Sequence, residues 1–202
     1  MKLHGIVVAA GSGTRFGGPK AQVALAGRPL WQWARDALVG GGALSVVVVG
    51  DVAGGIRGGA RRRDSVAAGL DVLPVSATHV LVHDAARPLA SPDLVRQVIA
   101  RLERGDVAGV VPAVPVRDTI KRLEGDLVIA TLERFGLVAV QTPQAFALEA
   151  LRHAHGESDE DSTDDAALVE RAGGAIAVVA GDPANLKITY PEDLEVAERM
   201  IP

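Results

Sequence analysis

The 202-residue chain contains no cysteine, so it forms neither a disulfide nor a thiolate-ligated zinc site, and its redox compartment stays open. Its five histidines are scattered and suggest no metal cluster. No stretch reaches the roughly 18 apolar residues of a membrane span. The N-terminus lacks the charged, apolar and small-residue regions of a signal peptide. Positive charge is not in excess either: the formal net charge is -4, which argues against broad nucleic-acid or anionic-membrane binding. A soluble, cytoplasmic protein with neither nucleic acid nor membrane as partner is expected, and any phosphate site must be local. Lysine is scarce, at Lys2, Lys20, Lys121 and Lys187, yet two of these four fall inside motifs.

What is present is apolar and regularly interrupted. Hydrophobic residues make up 48% of the chain and charged ones 23%, enough for one globular domain over 1–202 with a substantial core. "GIVVAA", "LSVVVVG", "THVLVHD", "VAGVVPAVPV" and "AIAVVAG" are continuous rather than alternating apolar runs, as strands buried on both faces require. Between them "RPLWQWARDALVG", "DSVAAGLDVL", "SPDLVRQVIARLERG" and "DDAALVERAGG" read as helices, and "TYPEDLEVAERMI" as a last one. Ser91 before Pro92 marks a helix start, and Thr163 reads as an N-cap with Asp164 and Asp165 in the first turn. The pattern predicts an α/β fold: a mainly parallel central sheet flanked by helices. From about Val116 to Gln141, charged and β-branched residues surround a turn signal at Glu124-Gly125-Asp126, which predicts a hairpin projecting from the sheet. An isolated hairpin is marginal, so a second subunit is its expected support. "HGESDEDSTDDA" reads as a solvated acidic loop before a helix.

The chemistry is concentrated in "VVAAGSGTRFGGPK", where an apolar run enters a glycine-rich turn carrying Arg15 and Lys20. Glycine lets a ligand approach the main chain, and two cations suit a polyphosphate. The turn is not a dinucleotide fingerprint, because Phe16 stands where the third glycine belongs. Nor is it a P-loop, because Pro19 separates Gly18 from Lys20 and Ala21 supplies no hydroxyl for magnesium. Asp84 ends the run "HVLVHD", and the carboxyl end of a strand is where open α/β sheets place ligands. A carboxylate there can hold Mg²⁺ shared with substrate phosphates.

"AAGSGTRFGGPK", "HDAARP" at 83–88, "VPVRDTIKR" at 114–122, "QTPQAF" at 141–146, "STDDA" at 162–166 and "NLKITYPEDL" at 185–194 together resemble the 2-C-methyl-D-erythritol 4-phosphate cytidylyltransferase family, in its order and over nearly the whole chain. The resemblance implies a Rossmann-like nucleotidyltransferase fold of GT-A type. It implies a reaction joining CTP to methylerythritol 4-phosphate with release of pyrophosphate, on the non-mevalonate route to isoprenoid precursors. A ribitol 5-phosphate cytidylyltransferase, or a non-catalytic nucleotide-binding protein of the same fold, would share the nucleotide half of this pattern.

By that resemblance Ala9, Ala10, Gly11 and Gly13 line the nucleotide pocket, Arg15 and Lys20 meet the phosphates, and Asp84 takes the metal with Ala85 beside it. Gly58, Gly59 and Ser65 in "GGARRRDSV" recognise the base, although Ala60 replaces the polar residue many relatives carry there. Without the family, Ser65 reads as a helix N-cap. Arg87, Thr119, Arg134, Thr142 and Lys187 fall to the acceptor, with Arg134 and Lys187 also counted as catalytic. The arm at about 116–141 crosses to a second subunit, making a homodimer. Arg87 could instead pair with Asp84, Arg117 and Asp118 could pair across strands, and Asn185 could simply shape a turn. His83, Asp164 and Asp165 read as structural.

Overall fold

The computed structural model describes residues 1–157 and 159–201. Each of the five apolar runs is a strand: β1 (Leu3–Val8), β4 (Val46–Val49), β5 (His79–Asp84), β6 (Gly109–Pro115) and β11 (Ile176–Ala180), numbered in chain order. β4, β1 and β5 pair in parallel, and so do β6 and β11. Between these groups lies β10 (Gln144–Ala147), antiparallel to both β5 and β6, so all five apolar strands point the same way. The order is β11-β6-β10-β5-β1-β4, with β9 (Val138–Val140) antiparallel to the end of β6.

The runs are continuous because both faces are covered. Leu3, Val7 and Leu81 pack with Trp31, Ala34 and Leu38 of α1 (Leu30–Gly41) and with Val95 and Val98 of α3 (Pro92–Leu102). Their strand neighbours Ile6, Val80 and Val82 face the other way. They meet Val66 and Leu70 of α2 (Arg62–Asp71), Leu148 and Leu151 of α4 (Leu148–Glu157), and Leu168 and Val169 of α5 (Asp165–Arg171). A third cluster joins Leu25 of the short hairpin β2 (Ala24–Leu25) and β3 (Arg28–Pro29) to Ile188 and to Ala197 of α6 (Pro191–Met200). Each fully buried aliphatic side chain contributes ~1.5–3 kcal/mol, so these layers hold the sheet edge rigid where the loops emerge.

Several expectations are corrected. The paired part of the arm at about 116–141 is shorter than a hairpin over that whole stretch: β7 (Lys121–Glu124) and β8 (Leu127–Thr131) form a separate hairpin, closed at Gly125-Asp126, whereas β9 joins the main sheet. The N-cap of α5 is Asp164, whose side chain accepts from Ala167 N, and not Thr163. Ser65 is not an N-cap, because α2 begins three residues earlier. Part of "HGESDEDSTDDA" is the end of α4 and part the start of α5; between them Asp159, Glu160 and Asp161 are exposed, as expected of a solvated loop, but the loop is also anchored to the start of α2. Arg61 pairs with Asp159, Arg62 with Asp165, and Arg63 donates to the carbonyls of His155 and Glu160. Ser158, within that stretch, lies outside the described residues.

Candidate active site

Val8 of β1 stands level with Val49 of β4 and Asp84 of β5, so three parallel strands present their carboxyl ends together. The glycine loop leaves β1 there and folds back on itself, with the Gly13 carbonyl accepting from both Phe16 N and Gly18 N. Gly13 has φ 63°, and a Cβ on it would sit 1.8 Å from the Gly18 carbonyl oxygen. No other residue fits without opening the loop. Gly13→Ala is therefore expected to weaken binding of the nucleotide that the resemblance implies at least about tenfold, while global stability falls by only ~1–3 kcal/mol. Calorimetric titration against a melting curve separates the two effects.

The loop forms one wall of a cleft of about 380 Å³. Ala9, Ala10, Gly11, Gly13, Arg15, Lys20, Gly59, Ser65, Asp84, Ala85 and Lys187 all line it. Gly58 does not: it fills the space between Ala10 and Ser65, where a Cβ would come within 2.3 Å of the Ala10 methyl. Ser65 is buried, and its Oγ accepts from Gly59 N at 3.1 Å and donates to the Arg61 carbonyl, which fixes the rim of the cleft. Arg15 is exposed at the mouth. Lys20 donates to the Ile188 carbonyl at 2.7 Å, and Ile188 is wholly buried, so the third core cluster anchors this lysine. Burial, with Lys187 and Arg15 nearby, depresses the Lys20 amine. An anion entering the cleft would relieve that crowding of cations.

Asp84 meets one of those cations, Lys187, and a further one, Arg62. Lys187 Nζ donates to its Oδ2 at 2.8 Å and Arg62 Nε to its Oδ1 at 3.2 Å. Burial alone would push the carboxyl up, but Arg62 and Lys187 outweigh it and hold Asp84 well below the usual carboxylate range. Arg62 was not singled out in the sequence, although three successive arginines at a helix start were a visible signal. It pairs on its other edge with Asp165, at 2.7 Å.

A second pocket of about 160 Å³ adjoins the first and is lined by Arg87, Val140, Gln141, Thr142, Gln144, Thr163 and Asp164. Arg62, Asp84 and Lys187 line both and form the common wall. Arg87 donates to the carbonyls of Asn185 and Val140 rather than to a carboxylate. The Thr142 hydroxyl accepts from Asp84 N at 3.0 Å and lies 2.7 Å from His83 Nδ1, so it orients the metal candidate from beneath. His83 is wholly buried, and burial lowers its pKa to about 4. Asn185 is buried and donates to the Thr142 carbonyl, which makes it a clamp on this strand exit. Thr119 and Arg134 are exposed and line neither pocket of their own chain, and Arg134 instead donates to the Arg117 carbonyl.

No group of three or more acid, histidine or cysteine side chains that could hold a metal ion exists among the described residues. Among the described residues, Asp84 is the one acid lining the larger cleft. That arrangement suits Mg²⁺, which is commonly held by one or two carboxylates with substrate phosphates completing the shell.

A cation-rich cleft over the carboxyl ends of parallel strands, with a second pocket across a charged wall, defines a nucleotide-dependent transferase of the α/β class. The family model for 2-C-methyl-D-erythritol 4-phosphate cytidylyltransferase matches residues 3–202. The enzyme of that name from Prochlorococcus marinus is 40% identical over 222 residues, covering 98% of each chain. The bifunctional enzyme IspD/IspF of Solidesulfovibrio magneticus is 44% identical over 233 residues, and the present chain, matched in full, spans 58% of that relative's length. The crystal structure of the Thermus thermophilus cytidylyltransferase superposes with a TM-score of 0.83 at 35% identity, covering 96% of each chain. The chain belongs to the 2-C-methyl-D-erythritol 4-phosphate cytidylyltransferase family and is a nucleotidyltransferase. No helix among the described residues is long and apolar enough to cross a membrane.

Proposed function

We propose that the larger cleft holds CTP, that the smaller pocket holds the phosphate end of 2-C-methyl-D-erythritol 4-phosphate, and that CMP passes between them. The products are 4-diphosphocytidyl-2-C-methyl-D-erythritol and pyrophosphate, on the route to isoprenoid precursors. The observation that carries this reading is the wall of Arg62, Asp84 and Lys187 common to both pockets. A phosphate oxygen of the acceptor attacks the α-phosphorus of CTP, the new P–O bond forms, and the bond to pyrophosphate breaks in line. The nucleophile is already an anion, so the protein positions the reactants and offsets charge.

Arg15 and Lys20 lie where the triphosphate would rest against the glycine loop, and they offset the charge that builds on the leaving pyrophosphate. Lys187, on the common wall, turns to the acceptor phosphate with Arg87 beyond it. Asp84 would hold magnesium, which screens polyphosphate charge and polarises the phosphoryl oxygens when bound. The base lies against Gly59 and Ser65, and because Ala60 offers no polar side chain, main-chain groups recognise cytosine.

Thr119 and Arg134 serve a neighbour's cleft in a homodimer joined through the arm. Leu123, Leu127, Val128, Ile129 and Phe135 are all exposed along the arm, an apolar surface that a second copy would cover. Mixing tests this directly. Lys20→Ala and Arg134→Ala homodimers are each expected to be nearly inactive. Co-refolded in equal amounts, they are expected to recover about a quarter of wild-type activity, because half the dimers then carry one intact site of two. No recovery would place Arg134 in its own chain's site, and a fully active Arg134→Ala homodimer would place it outside catalysis.

A further inference from the structure

Asp165 opens α5 and is wholly buried. Its Oδ2 accepts from Arg62 Nη1 at 2.7 Å, while Oδ1 has no hydrogen-bond partner and lies 3.5 Å from His155 Nε2. A buried ion pair is a weak source of stability, because stripping both charges of water offsets their attraction. It is an effective source of position. A planar guanidinium pinned at one edge by Asp84 and at another by Asp165 has no freedom to turn.

The two acids are not equivalent. Asp84 faces both pockets and is shared with Lys187, whereas Asp165 lines neither. A ligand that draws the Asp84 carboxylate toward itself releases Lys187 but leaves Arg62 anchored to Asp165. Arg62 also keeps a donor in reserve, since its Nη2 is buried without a partner. Across the wall, Arg62 and Lys187 balance Asp84 and Asp165, so a shift of Asp84 leaves net positive charge facing the pockets.

We propose that Asp165 is a positioning residue for the transfer step: it fixes the Arg62 guanidinium at the wall between the two pockets, so that Arg62 stays presented to the reacting phosphates when Asp84 exchanges its ion pairs for substrate or metal. This rests on reading the common wall as the place of transfer. Asp165 acts through Arg62 and touches no reacting atom itself.

Steady-state kinetics of Asp165→Asn, Arg62→Gln and the double variant test it. Asp165→Asn is expected to lower kcat about tenfold or more while KM for CTP stays within about threefold. Added to Arg62→Gln, it is expected to lower kcat little further, the non-additivity of two residues that act as one unit. Full kcat in Asp165→Asn, or losses that simply multiply, would overturn the proposal. If Asp165→Asn does not fold, Arg62→Lys decides, since it keeps the charge but cannot bridge both acids, and wild-type kcat there would overturn it equally. A readout independent of turnover is the Arg62 Nε–H resonance, identified by its loss in Arg62→Lys. It is expected to be sharp in wild type and broadened by exchange in Asp165→Asn, and an unchanged signal would contradict the role given to Asp165. If wild-type protein releases no pyrophosphate, the reading of the cleft fails, and the resonance still decides the role of Asp165.

Discussion

Lys20→Ala is expected to lower kcat on the order of 100- to 1000-fold, the cost of removing one preorganised charge that stabilises a transition state. The fold should survive. Lys20 is half-buried and its amine makes a hydrogen bond to the Ile188 carbonyl, an interaction whose net stabilisation is ~1 kcal/mol. Its pKa is depressed by burial and by Lys187 and Arg15, so in the free protein the amine sits among like charges for which the cleft supplies one acid, Asp84. Such crowding does not stabilise the fold. It prepares the cleft for an anion, and removing Lys20 therefore costs catalysis far more than stability. Circular dichroism melts beside initial rates check this, and a variant with near-normal kcat would remove Lys20 from the reaction.

Asp84→Asn is expected to abolish most turnover by a different route, on the order of 100-fold or more in kcat. The amide keeps the shape of the side chain but leaves Lys187 without a carboxylate partner and the common wall with excess positive charge. Arg62 keeps Asp165, and Lys187 reaches solvent, so the loss of stability should stay below the ~3–5 kcal/mol seen when a buried ion is orphaned. Magnesium should separate this variant from Lys20→Ala. The concentration for half-maximal rate is expected to rise several-fold in Asp84→Asn and to hold in Lys20→Ala. An unchanged magnesium requirement in Asp84→Asn would take the metal away from Asp84.

The parallel strands were legible because both sides of the sheet are covered, which turns a structural fact into uninterrupted runs such as "VVVV" at 46–49. β10 was not legible: four residues, "QAFA", carry too little pattern to be told from a loop, yet they reverse direction in the middle of the sheet. α4 was overlooked because its acidic continuation dominated the composition, although Leu148, Leu151 and Ala154 recur at helical spacing and are all buried. In the site, the glycine loop and Asp84 were legible from a local turn and a strand end. The Arg62–Asp165 pair was not. Its partners lie 103 residues apart in sequence, and only the fold of α2 against α5 brings them together. Separations of 97 to 103 residues likewise hid the fact that Arg61, Arg62 and Arg63 hold the acidic connector against the rim of the cleft.

The central claim is the transfer of CMP to a particular acceptor, and pyrophosphate release by the purified protein with CTP and Mg²⁺ tests it most directly. Methylerythritol 4-phosphate and ribitol 5-phosphate are compared as acceptors under identical conditions. Release with methylerythritol 4-phosphate alone is expected. Release with ribitol 5-phosphate alone, or with neither acceptor, would contradict the function proposed for this cleft.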